Sequence, residues 1–225
     1  MLPYVKFAWS LATAGSLTML MFVTAGCGSD SSSTPSTGSG LPGSRVTLDQ
    51  VQRGRQLVLS SGCGDCHSQG KVDPADPAWM AGSVGTNVAP GDTNLGPLGQ
   101  SHAPNLTPDP THGSLIHSTD RQVFNVLRWG LDPGDSRTDK VINSTADFPP
   151  SPKYVAPPMP WPAFRHKSDA ELWAIVAYVK HGLKPNPRVV TPTTESPDGW
   201  AGLYAQSLGP YPAPSFPTSA EQFTP

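Results

Sequence analysis

The stretch Cys63-Gly64-Asp65-Cys66-His67 places two thiols and an imidazole close together in the chain. On a short helical turn, side chains at positions i and i+3 lie on the same side, so both thiols can reach one edge of a planar ligand. The pattern C-x-x-C-H is typical of covalent haem attachment, in which the thiols form thioethers with the two vinyl groups of the haem. His67 then lies beneath the iron as its proximal ligand. The stretch therefore predicts one haem c, attached through Cys63 and Cys66 and ligated by His67.

Three other uses of the cysteine pair explain the stretch less well. A zinc site needs a second pair of ligands in a comparable pattern, and Cys27 is the one further cysteine among the three in the chain. A thioredoxin-like redox pair belongs beside a β-α-β pattern, which the sequence does not show. A structural disulfide between Cys63 and Cys66 is compatible with an oxidising compartment, but it leaves the adjacent His67 unexplained.

We expect a methionine as the second axial ligand of the iron. Beyond residue 26 the chain has two methionines, Met80 and Met159. Met159 lies in P-P-M-P-W-P, and a proline-stiffened loop holds a thioether in place at little further entropic cost. Pro160 and Trp161 are interpreted as supports of that loop, whereas Met80 is interpreted as filling a gap under a loop. The other histidines have no motif around them and are interpreted as surface or hydrogen-bonded side chains: His102, His112, His117, His166 and His181.

Helical spacing of apolar residues, together with capping residues, predicts three helices: Asp49–Ser60, Thr119–Trp129 and Asp169–His181. The residues expected to cap or end them are Ser118 or Thr119, Gly130, Ser168 with Glu171, and Gly182. Two long connections rich in proline and glycine, at about 69–104 and 131–160, show no strand pattern. Three short helices give a small core for a chain of this size, so a bound group is expected to fill part of it.

The N-terminus reads as a targeting segment. Phe7 to Gly26 carries no charge, and small residues precede Cys27, which resembles a bacterial lipoprotein signal. We therefore predict a signal peptide over residues 1–26, lipidation of Cys27, and a flexible tether over 27–46 that is rich in serine, threonine, glycine and proline. The alternative is an uncleaved transmembrane anchor, since about 20 uncharged residues can span a bilayer. Either way, the folded part is expected on the periplasmic side of the bacterial envelope, held at a membrane.

Composition excludes two broad classes of protein. The 225 residues include 15 Lys and Arg against 17 Asp and Glu, so the chain lacks the basic surface that nucleic-acid binding requires. The 27 prolines and 22 glycines argue against a large, regular α/β enzyme. Prolines recur after residue 185, and we interpret 186–225 as a proline-rich C-terminal tail.

Taken in order, these features resemble a class I cytochrome c. The resemblance covers about residues 48–185 and is carried by four motifs: R-G-R-Q-L-V at 53–58, A-P-N-L-T-P-D at 103–109, P-P-M-P-W-P-A-F at 157–164 and S-D-A-E-L-W-A-I-V-A-Y-V-K at 168–180. More narrowly, their order is similar to single modules of the cytochrome c subunits of periplasmic alcohol and aldehyde dehydrogenases. Those subunits usually carry several haems, whereas this chain has one attachment site.

The resemblance implies an all-α cytochrome c fold with three to five short helices around one covalently bound haem and long loops. The domain would span residues 47–185, with a loop insertion at about 69–103. The resemblance also implies that the first and last helices cross where Gly54 meets Tyr178. It further implies that the carbonyl of Pro104 accepts the second ring N–H of His67.

A haem with both axial positions filled, by His67 and Met159, has no open position for a small ligand, so its iron can only change oxidation state. We therefore expect an electron carrier rather than an enzyme, passing single electrons between a periplasmic dehydrogenase and an oxidase or a quinone-linked complex. Two alternatives stay open. One is a haem sensor or redox enzyme in which Met159 leaves the sixth iron position vacant, and the other is a haem-bearing docking subunit of a larger complex.

Overall fold

The computed structural model describes residues 46–85 and 91–193. These residues form five α-helices and a short β-hairpin. In chain order the elements are α1 (Leu48–Ser60), α2 (Cys63–His67), β1 (Asp92–Asn94), β2 (Gln100–His102), α3 (Asp120–Trp129), α4 (Trp161–Phe164) and α5 (Asp169–His181). Short 3-10 turns occur at Gly96–Leu98, Ser136–Thr138 and Thr145–Asp147. The predictions for the signal peptide, Cys27, the tether up to residue 45 and the tail from residue 194 lie outside the described residues.

The three predicted helices are confirmed to within one residue at each end. Each begins with a reciprocal capping box. The hydroxyl of the N-cap residue accepts the backbone N–H of the residue three positions later, and the side chain of that residue accepts the backbone N–H of the N-cap residue. For α3 the capping residue is Thr119, and Gly130 ends the helix in the left-handed conformation at φ 68°. For α5 the box is formed by Ser168 and Glu171, as predicted.

The first and last long helices, α1 and α5, pack closely enough that no side chain fits at their crossing. A Cβ added to Gly54 would lie 1.9 Å from the carbonyl oxygen of Ala174 and 2.7 Å from Cβ of Tyr178. Gly54 and Tyr178 therefore meet at the crossing, as the resemblance implies. The main core is built around this contact, and its members from the two helices include Leu57, Val58, Leu172, Ile175 and Val176.

A second, smaller core anchors the connection between α3 and α4. It consists of Trp129, Leu131, Ile142, Tyr154 and Trp161. The ends of the connection are tied together, because Leu131 and Tyr154 form an isolated antiparallel bridge. Trp161 is fully buried, and its ring would lie 2.2 Å from a Cβ on Gly130. Trp161 thus supports the loop that carries Met159, in line with its predicted role.

The hairpin is a departure from the sequence prediction, which found no strand pattern. β1 and β2 pair antiparallel inside the 69–103 connection, with Asp92 opposite His102 and Asn94 opposite Gln100. Each strand has three residues, all of them polar, so no alternation of apolar side chains reveals it. The 3-10 turn Gly96–Leu98 joins the strands, and a buried contact of 2.7 Å between Asp92 Oδ1 and His102 Nδ1 links their outer ends.

The packed chain continues beyond Pro185, the predicted end of the domain. Residues 186–193 have no helix or strand, yet they are hydrogen-bonded to the rest of the fold. The amide Nδ2 of Asn186 donates to the carbonyl of Pro77 at 2.6 Å, and the backbone N–H of His102 donates to Oγ1 of Thr193 at 3.1 Å. The first part of the predicted tail is therefore an integral segment of the domain.

Within the described ranges, no helix has both the length and the apolar character needed to cross a bilayer.

We predict that Gly54→Ala destabilises the protein by about 3 kcal/mol, because the new methyl group forces α1 and α5 apart at a backbone contact. Urea denaturation followed by circular dichroism measures this change. Gln52→Ala is the matched control, since Gln52 is exposed on the same helix and its replacement should stay within about 0.5 kcal/mol of wild type. Equal stability of the two variants would show that the helices do not cross at Gly54.

Candidate functional site

The cysteine pair lies on α2, a single short helical turn. Gly62 precedes it in the left-handed conformation, with φ 68°, and turns the chain out of α1 into α2. Cys63 and Cys66 lie one turn apart on this helix, and both are free thiols. The geometry is the one expected of two thiols that meet the same edge of a planar group.

The surroundings of the two thiols do not suit a redox-active pair. Burial raises the pKa of Cys63 to about 11, and burial together with the charge of Asp65 raises the pKa of Cys66. A thioredoxin-like nucleophile needs the opposite, a lowered pKa that favours the thiolate. The described residues hold no group of three or more histidine, cysteine or acidic side chains placed to bind a metal ion.

His67 is buried and oriented by a single contact. Its Nδ1 lies 3.0 Å from the carbonyl oxygen of Pro104, and the residue is 7 % exposed. Because a carbonyl can only accept, Nδ1 carries the proton and Nε2 keeps its lone pair. Burial lowers the pKa of His67, which favours the neutral ring. A neutral imidazole with one nitrogen bonded to a carbonyl and the other free to ligate is the form that binds metals.

The two candidate methionines lie in different environments. Met80 is 1 % exposed, and its sulfur accepts a hydrogen bond from Oγ of Ser68 at 3.7 Å. The same hydroxyl accepts the backbone N–H of Met80 at 2.7 Å, so Met80 is held in the core as a packing residue. Met159 is half-buried and packs against the main core, as Cys63 does. Its turn is fixed by hydrogen bonds from its N–H to Ala156 and from the N–H of Trp161 to its carbonyl, each 2.9 Å long.

Three of the remaining histidines are paired with carboxylates. His102 is buried against Asp92, His112 lies 3.3 Å from Asp109, and His181 lies 3.0 Å from Asp120 on the surface. His117 and His166 are exposed. These placements fit the interpretation of the five as surface or hydrogen-bonded side chains.

Trp79 is a supporting residue that the sequence analysis did not identify. It comes from the 69–103 connection, and its ring lies against α2, 2.6 Å from where a Cβ on Gly64 would be. Its Nε1 donates to the buried hydroxyl of Tyr178 at 2.8 Å. Trp79 thereby ties the cysteine-bearing turn to the crossing of α1 and α5. No spacing in the sequence signals this role, because Trp79 stands in an irregular segment.

The arrangement fits a covalently attached haem. Two free thiols lie one turn apart, and a buried neutral histidine follows them directly with Nε2 free to ligate. A proline-held methionine packs against the same core. Thiols, a neutral imidazole and a thioether are the kinds of donor that bind a haem c.

Among known proteins, the chain is similar to cytochrome subunits of dehydrogenases. No family model matches the chain. The chain is similar to the fructose dehydrogenase cytochrome subunit of Gluconobacter japonicus, at 24 % identity over 135 residues, which are 60 % of this chain and 22 % of that protein. It is similar to the alcohol dehydrogenase (quinone) cytochrome c subunit of Gluconacetobacter polyoxogenes, at 25 % identity over 175 residues, 78 % of this chain and 30 % of that protein.

The subunit of the same name in Gluconobacter oxydans (strain 621H) is 28 % identical over 135 residues, 60 % of this chain and 22 % of that protein. The chain is distantly related to cytochrome c subunits. It spans less than a third of the length of these relatives, between 22 and 30 %.

We predict that Trp79→Phe lowers the free energy of unfolding by about 1–2 kcal/mol, because it leaves the buried hydroxyl of Tyr178 without its donor. The single variants Trp79→Phe and Tyr178→Phe, compared with the double variant in urea denaturation, measure the coupling between the two side chains. Strictly additive losses would show that the hydrogen bond does not stabilise the site.

Proposed function

We propose that this chain is a c-type cytochrome with one haem, covalently bound through Cys63 and Cys66 and ligated by His67 and Met159. The observation that carries the proposal is the buried, neutral His67, whose Nδ1 proton is held by Pro104 directly after two free thiols one turn apart. The helices around the site support a cytochrome c fold, with α1 and α5 crossing at Gly54.

Each residue of the site has a distinct part in electron transfer. A haem c supplies one-electron chemistry at its iron. Cys63 and Cys66 fix the group to α2, and His67 ligates from the side that Pro104 supports. The hydrogen bond to Pro104 orients the ring of His67 and makes its free nitrogen a stronger donor. Met159 would ligate the iron through a thioether, which favours the reduced state, and the hydrogen-bonded turn around it would keep reorganisation small.

The similar proteins support a role as an electron-carrying subunit rather than as a catalytic enzyme. Their names describe cytochrome subunits of fructose and alcohol dehydrogenases. By analogy, this chain would accept electrons from a dehydrogenase and pass them to an oxidase or a quinone-linked complex. The near balance of 15 basic and 17 acidic residues provides little long-range steering, so short-range contacts would select the partner.

We place the protein in the bacterial envelope, on the periplasmic side. The uncharged stretch ending at Gly26, followed by Cys27, supports a lipid anchor on Cys27, with an uncleaved N-terminal helix as the alternative. Covalent attachment of haem outside the cytoplasm agrees with this location. Mass spectrometry of the protein extracted from membranes distinguishes a lipidated Cys27 from an intact N-terminus.

We predict that the chain, expressed with a haem-attachment system, retains its haem in denaturing gels, and that Cys63→Ser with Cys66→Ser loses it entirely. Haem staining after denaturation measures this, because only a thioether-bound haem survives the treatment. Cys27→Ser serves as the control and should keep the haem. A wild-type chain without covalent haem would overturn the proposal.

We predict that Met159→Leu abolishes the charge-transfer band between thioether and ferric iron, whereas Met80→Leu keeps it. The two replacements are matched in size, and Met80 already has a partner in Ser68. Optical spectra of the oxidised proteins measure the band, and carbon monoxide binding to the reduced proteins tests for an open position. If wild type lacks the band and binds carbon monoxide readily, the protein is a haem sensor or a redox enzyme instead of a carrier.

A further inference from the structure

The segment that follows α5 packs against the part of the chain next to Pro104. Residues 186–193, here called the C-terminal strap, contact the chain between residues 69 and 107. The side chain of Asn105, 1 % exposed, is the main contact of the strap, because its Nδ2 donates to the carbonyls of Asn186 at 2.9 Å and Arg188 at 3.0 Å. Its Oδ1 accepts from both the N–H and the hydroxyl of Thr107, so every polar atom of the amide is bonded.

The side chain of Arg188 also contacts the segment that follows His67 in the chain. Its guanidinium Nη1 donates to the carbonyl of Gly82 at 2.9 Å and lies 3.3 Å from Oε1 of Gln69. The N–H of Gly82 in turn donates to the backbone carbonyl of His67 at 2.8 Å. The side chain of Arg188 is thus linked through one residue to the backbone of His67, while its own carbonyl holds Asn105.

These contacts form a closed ring, of which the hydrogen bond between His67 and Pro104 is one link. The ring runs from the His67 imidazole to Pro104, along the chain to Asn105, across to Arg188, on to Gly82 and back to the His67 carbonyl. The backbone atoms of the ring are so closely packed that no side chain fits at Gly82. A Cβ on Gly82 would lie 2.7 Å from the nitrogen of Asn105 and 2.8 Å from the carbonyl carbon of Pro104.

We infer that Arg188 is a positioning residue for His67, because it closes a ring of contacts that includes the hydrogen bond between the His67 ring and the Pro104 carbonyl. The inference rests on the proposed function, in which His67 ligates the haem iron. Both contacts, to Gly82 and to Gln69, are made by the single nitrogen Nη1 of Arg188, whose direction is set by the planar guanidinium.

The physical consequence concerns the basicity of the ligand. A short bond from Nδ1–H to a carbonyl increases the electron density that the ring offers to the metal, which favours the oxidised state. Opening the ring removes one of the contacts that hold the Pro104 peptide beside His67 and weakens that bond. The backbone bonds from Ser83 to Ala103 and from Leu106 to Met80, each 2.9 Å long, remain in place and limit the displacement. The expected results are faster exchange of the Nδ1 proton with solvent and a higher midpoint potential.

The test compares Arg188→Gln with wild type in the full chain carrying its haem. We expect the Nδ1 proton of His67, followed by NMR in the reduced protein, to exchange at least tenfold faster in Arg188→Gln. The Nε1 proton of Trp79, bonded to Tyr178 on the main core, is the internal reference and should change less than twofold. The midpoint potential of the variant should rise. Arg188→Lys, which keeps the charge and one donor, should give intermediate values, and it replaces the glutamine variant if that one does not fold.

Lys184→Gln is the matched control for charge. Lys184 is exposed just before the strap, so its replacement removes one positive charge near the same segment and leaves the ring intact. The inference is overturned if the Nδ1 proton of His67 exchanges as in wild type, if it accelerates only in step with that of Trp79, or if the potential equals that of Lys184→Gln. A wild-type protein with normal haem and unresponsive variants refutes the role of Arg188 alone. A wild type without covalent haem refutes the proposed function.

Discussion

The hydrogen bond between the His67 ring and the Pro104 carbonyl is the constraint around which the site is organised. It joins the end of α2 to the motif that follows the hairpin, two segments separated by a long irregular connection. A carbonyl can hold only the protonated nitrogen, so this one contact fixes the tautomer as well as the direction of the ring. Burial reinforces it, because burial lowers the pKa of His67 and keeps the ring neutral.

Helices α1 and α5 support the hydrogen bond between His67 and Pro104, because they hold α2 in place. α1 leads into α2 through the left-handed Gly62, and α5 fixes α1 through the contact at Gly54. Trp79 completes the support by lying between Gly64 and Tyr178. The irregular connection therefore contributes to the position of α2 through Trp79.

The sequence predicted those elements whose signals, such as capping residues and apolar spacing, lie within the element itself. α5 could be placed to the residue, because its capping box and its apolar spacing lie within the helix itself. The contact between His67 and Pro104 could be anticipated through a resemblance in motif order. The hairpin could not, since its short polar strands have no periodic signal. Nor could Trp79 or Arg188, whose partners lie 99 and 106 residues away in the chain.

The C-terminal strap also bears on the order in which the protein folds. Cys63, Cys66 and His67 are translated long before the strap, yet the ring that includes the His67 imidazole closes only when Arg188 has reached Asn105. Contacts of such large sequence separation carry a high loop-closure entropy and form late. A chain that ended at Pro185 would contain every residue of the attachment motif and all the helices, and its site would still be unfinished. The packed part of the chain therefore extends beyond the last helix.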